Sequence, residues 1–127
     1  MKSLVSEWVA KAEDDFHTAT RERRARRNPN PDAVCFHAQQ SVEKYMKAWL
    51  LHYRVAFGRT HDLGELLHLC LPKRPMWELL RDSVLLLNQY AVEIRYPGES
   101  ATLSEAREAY EILIRLRAEF RKDLRLP

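Results

Sequence analysis

Apolar side chains recur three and four positions apart along nearly the whole chain, and that spacing is the strongest constraint on what it can fold into. From the start they run Leu4, Val5, Trp8, Val9, Ala12, Phe16 and Ala19, one stripe on a helix of 3.6 residues per turn. Nowhere does the chain show the every-second-residue alternation of a half-buried strand. With only 3 glycines in 127 residues, little in it opposes helix.

Helix boundaries are marked as well. Ser3 is placed to cap the first helix, which the arginines and prolines of "RERRARRNPNP" bring to an end. Asn30 caps a second helix with Pro31 in its first turn, where a missing amide hydrogen costs nothing, and Asp32 adds favourable charge. Its inward stripe is Val34, Ala38, Ser41, Val42, Tyr45 and Trp49, and it fades near Tyr53. Thr60 is expected to cap a short helix, "HDLGELLHLC", with Leu63, Leu66, Leu67 and Cys70 inward. A fourth stripe, Trp77, Leu80, Val84, Leu87 and Ala91, predicts a helix to about Ile94, where Pro97 and Gly98 follow. Thr102 and Glu105 form a T-x-x-E capping box for a last helix carrying Ala106, Tyr110, Leu113, Leu116, Phe120 and Leu124.

Four long helices and one short one, joined by short connections, predict an all-α fold: an up-and-down antiparallel helical bundle. An apolar fraction of 46% supplies one core, so residues 1–127 are expected to form a single domain. The net charge of +3 is the difference of 21 basic and 18 acidic side chains, a mild bias toward polyanions. Cys35 and Cys70 lie among apolar neighbours, as free thiols in a reducing compartment do. No stretch reaches the roughly 18 apolar residues of a membrane span, and "MKSLVSEWVAKAEDD" lacks the apolar run of a signal peptide. A soluble cytoplasmic protein with no membrane association is expected.

Local chemistry narrows the field further. Cys35 with His37, and His68 with Cys70, look like zinc ligands, but residues two apart on a helix point about 200° from each other, so no metal site is expected. There is no Gly-rich phosphate loop and no nucleophile elbow, and no cofactor is implied. Glu13, Asp14, Asp15, Glu105, Glu108 and Glu111 read as solvated faces, except that Asp15 lies beside the first helix's apolar stripe and wants a partner. Arg21, Arg23, Arg24, Arg26 and Arg27 could neutralise phosphates or simply finish a helix, and no aromatic is interleaved with them. On the second helix Gln40, Glu43, Lys44 and Lys47 share one side; by pattern alone this is a wet stripe.

The combination of Asp14, Asp15, Phe16 and Ala19 with "FHAQQSVEKYMKAWL", "THDLGELL" and "EIRYPG" resembles the HEPN family, the higher eukaryotes and prokaryotes nucleotide-binding domain, over nearly the whole chain. The resemblance implies an up-and-down bundle of four core helices with a short extra one, and a homodimer. It further implies binding of nucleotide or RNA and pairing with a small nucleotidyltransferase as a prokaryotic toxin and antitoxin. Many members are metal-independent ribonucleases carrying R-x4-6-H at the start of the last core helix.

Arg95 stands at that position, but no His follows it. The R-x6-H string from Arg54 to His61 falls between the second helix and the short one, where His61 can also simply support a helix start beside Thr60. A ribonuclease would use Arg54 and His61, or Arg95 with a His from elsewhere. Arg95 can offer a guanidinium and Tyr96 a stacking ring to a nucleotide or RNA, with Gln40, Lys44, Lys47 and His61 as further contacts. Alternatively Arg95 fastens helices by pairing with an inward carboxylate such as Asp15. A non-catalytic protein-interaction module is the third reading.

Overall fold

The computed structural model describes residues 3–93 and 97–127. Five α-helices account for most of them: α1 (Leu4–Arg24), α2 (Pro31–His52), α3 (Leu63–Cys70), α4 (Arg81–Glu93) and α5 (Leu103–Asp123). A 3-10 turn, Pro75–Leu80, leads into α4, and no strand occurs among the described residues.

The caps act as the side-chain chemistry demands. Ser3 accepts from the Ser6 amide, Asn30 accepts from the Ala33 amide with Pro31 in the first turn, and Thr102 and Glu105 close a reciprocal capping box. Between α1 and α2 the chain turns through Asn28 at φ 49, a left-handed conformation that asparagine tolerates. The short helix departs from expectation. Its cap is Asp62, whose Oδ1 accepts from the amides of Gly64 and Glu65, while Thr60 accepts from the Asp62 amide one step earlier. A carboxylate nearer the first turn meets two free amides, and that is why it takes the role.

The fourth stripe also divides. Pro75 opens a tighter turn that swings Trp77 inward and leaves Met76 and Leu79 79% and 86% exposed, before α-geometry resumes at Arg81. Ile94, the expected end of this helix, lies outside the described residues.

Contacts fix the helix directions. Trp8 meets Lys47 and Asp15 meets His37, so α1 and α2 run antiparallel. Thr20 bonds Tyr110 and Glu13 bonds Arg117, so α1 and α5 are antiparallel too. Tyr90 reaches Glu108 and Ser83 reaches Arg115, which sets α4 against α5 in the same way. Helix α2 packs against each of the other four. Its core partners include Trp77, Phe120 and Leu113, and Trp49 lies 4.9 Å from Trp77, which meets Phe120 edge-on at 5.1 Å. Each large apolar side chain buried in this way contributes about 1.5–3 kcal/mol relative to exposure.

The central place of α2 overturns the wet-stripe expectation. Glu43 and Lys47 are only 3% and 6% exposed, and Gln39 is buried beside them. Periodicity marks them correctly as sharing a side; what it omits is that α1 and the segment before α3 cover that side.

Candidate functional site

Two polar regions stand out, and their charge states differ. The first is a seam along α2. Its upper part is built on Asp15 of α1, whose carboxylate receives Lys44 Nζ at 2.5 Å and contacts His37 Nδ1 at 2.8 Å. Asp15 thus has the partner its position demanded, supplied by α2.

The lower part of the seam is built on Glu43. Lys47 Nζ lies 3.2 Å from its carboxylate and His61 Nδ1 3.1 Å, with Gln39 Nε2 at 3.4 Å. Gln39 also donates to the His61 carbonyl and accepts from Gln40. The Lys47 ammonium lies 5.5 Å from the centroid of the Trp8 ring. Both lysines are therefore neutralised by carboxylates of the protein itself. What the seam offers to solvent is the His61 ring, 74% exposed, with the half-buried ends of His37, Gln40 and Lys44.

The candidate pair Arg54 and His61 is not joined by a hydrogen bond. Arg54 sits at φ 58 in the turn after α2 with an exposed side chain, while the His61 ring is held by Glu43. Arg95 and Tyr96 lie outside the described residues. The segment that follows them is tied to the start of α2, where Asp32 accepts from the Ala101 amide at 2.6 Å.

Glu13 corrects the solvated-face reading of helix one. It accepts two bonds from Arg117, at 2.7 and 2.6 Å, and one from Tyr45. Burial pushes its carboxyl upward, but these bonds and the charges of Arg117 and Arg121 outweigh it and hold the group below its ordinary range. Burial, with the hydrogen bond to Glu13, pushes the Tyr45 hydroxyl up to about 12. The arrangement fastens α1, α2 and α5 together and has no spare capacity for a ligand.

Cys35 and Cys70 are buried thiols pushed up to about 12 by burial, which leaves them unreactive. Among the described residues no three His, Cys, Asp or Glu side chains gather as metal ligands.

The second region lies where α1 ends. Arg23, Arg24, Arg26 and Arg107 line an open hollow of about 700 Å³ together with Tyr110 and Glu111. A neighbouring hollow of about 280 Å³ shares Arg23, Arg26 and Arg107, and adds Glu22, Asn30 and Leu103. Among the described residues, none of the four arginines is in an ion pair. Four guanidinium groups against one glutamate make the larger hollow strongly positive.

Tyr110 brings to the arginine run the aromatic ring that its own segment lacks. It stacks on Phe16 at 6.4 Å, and its hydroxyl is bonded to Thr20. Arg107 and Tyr110 escape a local reading of the sequence because Tyr110 sits on the core stripe of α5 and Arg107 on an ordinary charged face. The signal that finds them is topological: in an antiparallel pair, the end of α1 lies beside the beginning of α5.

A family model described as HEPN domain matches residues 5–123. The chain is similar in structure to TT1696 from Thermus thermophilus, with 22% identity and a TM-score of 0.74 over 93% of this chain and 96% of that one. It is similar also to ST0689, an archaeal HEPN homologue, with 23% identity and a TM-score of 0.74 over 97% of this chain and 98% of that one. At these identities the likeness to solved structures is one of fold. No curated protein matches the sequence significantly.

Proposed function

We propose that this chain, which belongs to the HEPN domain family, binds nucleotides or RNA by their phosphates at the arginine-lined end of the bundle. One observation carries the reading: Arg23, Arg24, Arg26 and Arg107 surround a single hollow, and among the described residues no carboxylate is paired with any of them. Guanidinium groups in that condition keep their donors for tetrahedral phosphate oxygens. Arg95 and Tyr96 precede α5 in sequence, and the first turn of α5 lines the smaller hollow, so they remain in the proposal as contacts. Gln40, Lys44 and His61 are proposed to add hydrogen bonds from the seam; Lys47, nearly buried, supports Glu43 and through it the His61 ring.

The test is fluorescence anisotropy with labelled RNA and with ATP. Replacing Arg23 and Arg26 together by Ala should weaken binding by about tenfold or more at low salt, with the helical circular-dichroism signal unchanged. Undiminished binding by the double variant defeats the proposal.

Family membership supports extending the proposal to a homodimer paired with a small nucleotidyltransferase as toxin and antitoxin. Co-purification with such an enzyme encoded beside the gene is the corresponding test.

A second reading, a metal-independent ribonuclease, draws on one feature, the exposed His61 ring oriented by a buried carboxylate. Cleavage of RNA in excess EDTA that His61→Ala abolishes would establish it; intact RNA leaves the binding role alone.

A further inference from the structure

We infer that His61 is a site of covalent modification: its Nε2, aimed outward by the buried Glu43 carboxylate, takes a phosphoryl group from a small donor, a phosphoramidate or an acyl phosphate. The site is separate from the arginine-lined end and does not depend on it.

The other nucleophilic side chains along and behind the seam are occupied. Cys35 and Cys70 are buried thiols, the Tyr45 hydroxyl donates to Glu13, and Lys44 and Lys47 are ion-paired with Asp15 and Glu43. An ammonium has no lone pair to offer. His61 differs. Its side chain is 74% exposed while that of its partner Glu43 is 4% exposed, so one edge of the ring is fixed in the protein and the other meets solvent.

The hydrogen bonds assign the two ring nitrogens. A carboxylate only accepts, so Nδ1, 3.3 and 3.1 Å from the two Glu43 oxygens, carries the proton. In the neutral ring the lone pair then lies on Nε2, and among the described residues nothing bonds to that atom. The backbone is held as well, because Gln39 Nε2 donates to the His61 carbonyl. Glu43 already receives Lys47 and Gln39, so it does not need His61 to avoid being an unpaired buried charge. What the third bond adds is the orientation of the ring, as in other carboxylate–histidine pairs.

The chemistry follows from that orientation. Nε2 attacks phosphorus and forms an N–P bond while the P–N bond of phosphoramidate breaks and ammonia leaves with its electron pair. From an acyl phosphate, the bond to the bridging oxygen breaks and a carboxylate departs. In either case the ring becomes an imidazolium, whose charge the carboxylate behind Nδ1–H offsets. Arg59 stands two residues before His61, exposed and, among the described residues, in no ion pair. Two residues span at most about 7 Å, which keeps its positive charge close to the incoming phosphoryl oxygens.

The molecule carries its own reference sites. His37 shares the geometry, with Nδ1 2.8 Å from Asp15, but its side chain is only 28% exposed. His52 and His68 are exposed and, among the described residues, pair with no carboxylate. Exposure without orientation, and orientation without exposure, are thus both present for comparison.

The experiment incubates the full chain with phosphoramidate, and separately with acetyl phosphate, and follows adducts by intact mass and by electron-transfer fragmentation, which preserves the labile bond. His61 should be phosphorylated at least about tenfold faster than His52 or His68, with 31P NMR showing the Nε2 isomer. His61→Ala should abolish the fast phase. Glu43→Gln combined with Lys47→Met removes the carboxylate without stranding the lysine; in that variant His61 should react no faster than His68, with the helical circular-dichroism signal unchanged. Equal rates at His61, His52 and His68 in the native protein would overturn the inference. So would an Nδ1 adduct on His61, an undiminished His61 rate in the folded double variant, or no histidine adduct from either donor.

Discussion

Glu13 and Arg117 face each other across the α1–α5 interface as a two-pronged ion pair, with both carboxylate oxygens engaged at 2.6 and 2.7 Å. The guanidinium also lies 4.1 Å from the centroid of the Phe16 ring. Arg117→Ala removes the pair and the ring contact together and leaves a half-buried carboxylate with Tyr45 and a more distant Arg121. It should destabilise the fold by about 2 kcal/mol, read as a lower urea midpoint with an unchanged slope.

The same carboxylate makes the fold sensitive to acid. At Asp123 too, burial pushes upward, but hydrogen bonds from Arg74 and Trp49 and the Arg74 charge hold the group below its ordinary 3.8, as Glu13 lies below 4.5. Both carboxyls release their protons more readily in the folded chain than in the unfolded one. Their contribution is therefore complete above about pH 4.5 and is lost as pH falls through the lowered folded values. Melting temperature should drop on acidification from about pH 6 to about pH 3, and Glu13→Gln should flatten part of that drop.

The buried pair of Glu43 and Lys47 predicts an asymmetry between single and double substitution. Lys47→Ala leaves Glu43, 3% exposed, without its ammonium, and should cost about 3 kcal/mol. Lys47→Met combined with Glu43→Gln removes both charges while keeping volume, and should recover most of that loss. Chemical denaturation of the three proteins checks it; a double variant as unstable as the single one would show that the charges themselves stabilise the fold.

Two residues of the 3-10 turn, Trp77 and Leu79, should behave as opposites. Trp77 packs between Trp49 and Phe120, so Trp77→Ala should cost about 3–5 kcal/mol. Leu79, 86% exposed, should tolerate Ser within about 0.5 kcal/mol. Thermal melts of the two variants test the inward swing that Pro75 introduces.

What the sequence reveals here follows from what repeats locally. Ser3, Asn30 and the Thr102–Glu105 pair mark helix starts because a cap acts within four residues, and the apolar stripes mark helices because neighbours on a face recur every turn. The 3-10 turn is hidden because Trp77 and Leu80, three apart, suit either helical period over so short a run. Glu43 and Lys47 are misread for a different reason: spacing tells which residues share a side, never what covers it. Likewise the arginine run is visible at once, while Arg107 and Tyr110 join it only through the pairing of α1 with α5.

Helix α2 touches every other helix of the bundle, and this has a consequence for how the molecule opens. A peripheral helix can detach by uncovering one flank of α2, but α2 itself has no flank to leave by. Its central amides, from Val42 to Leu50, should therefore exchange with deuterium only when the whole chain unfolds, while those of α3 exchange through smaller openings.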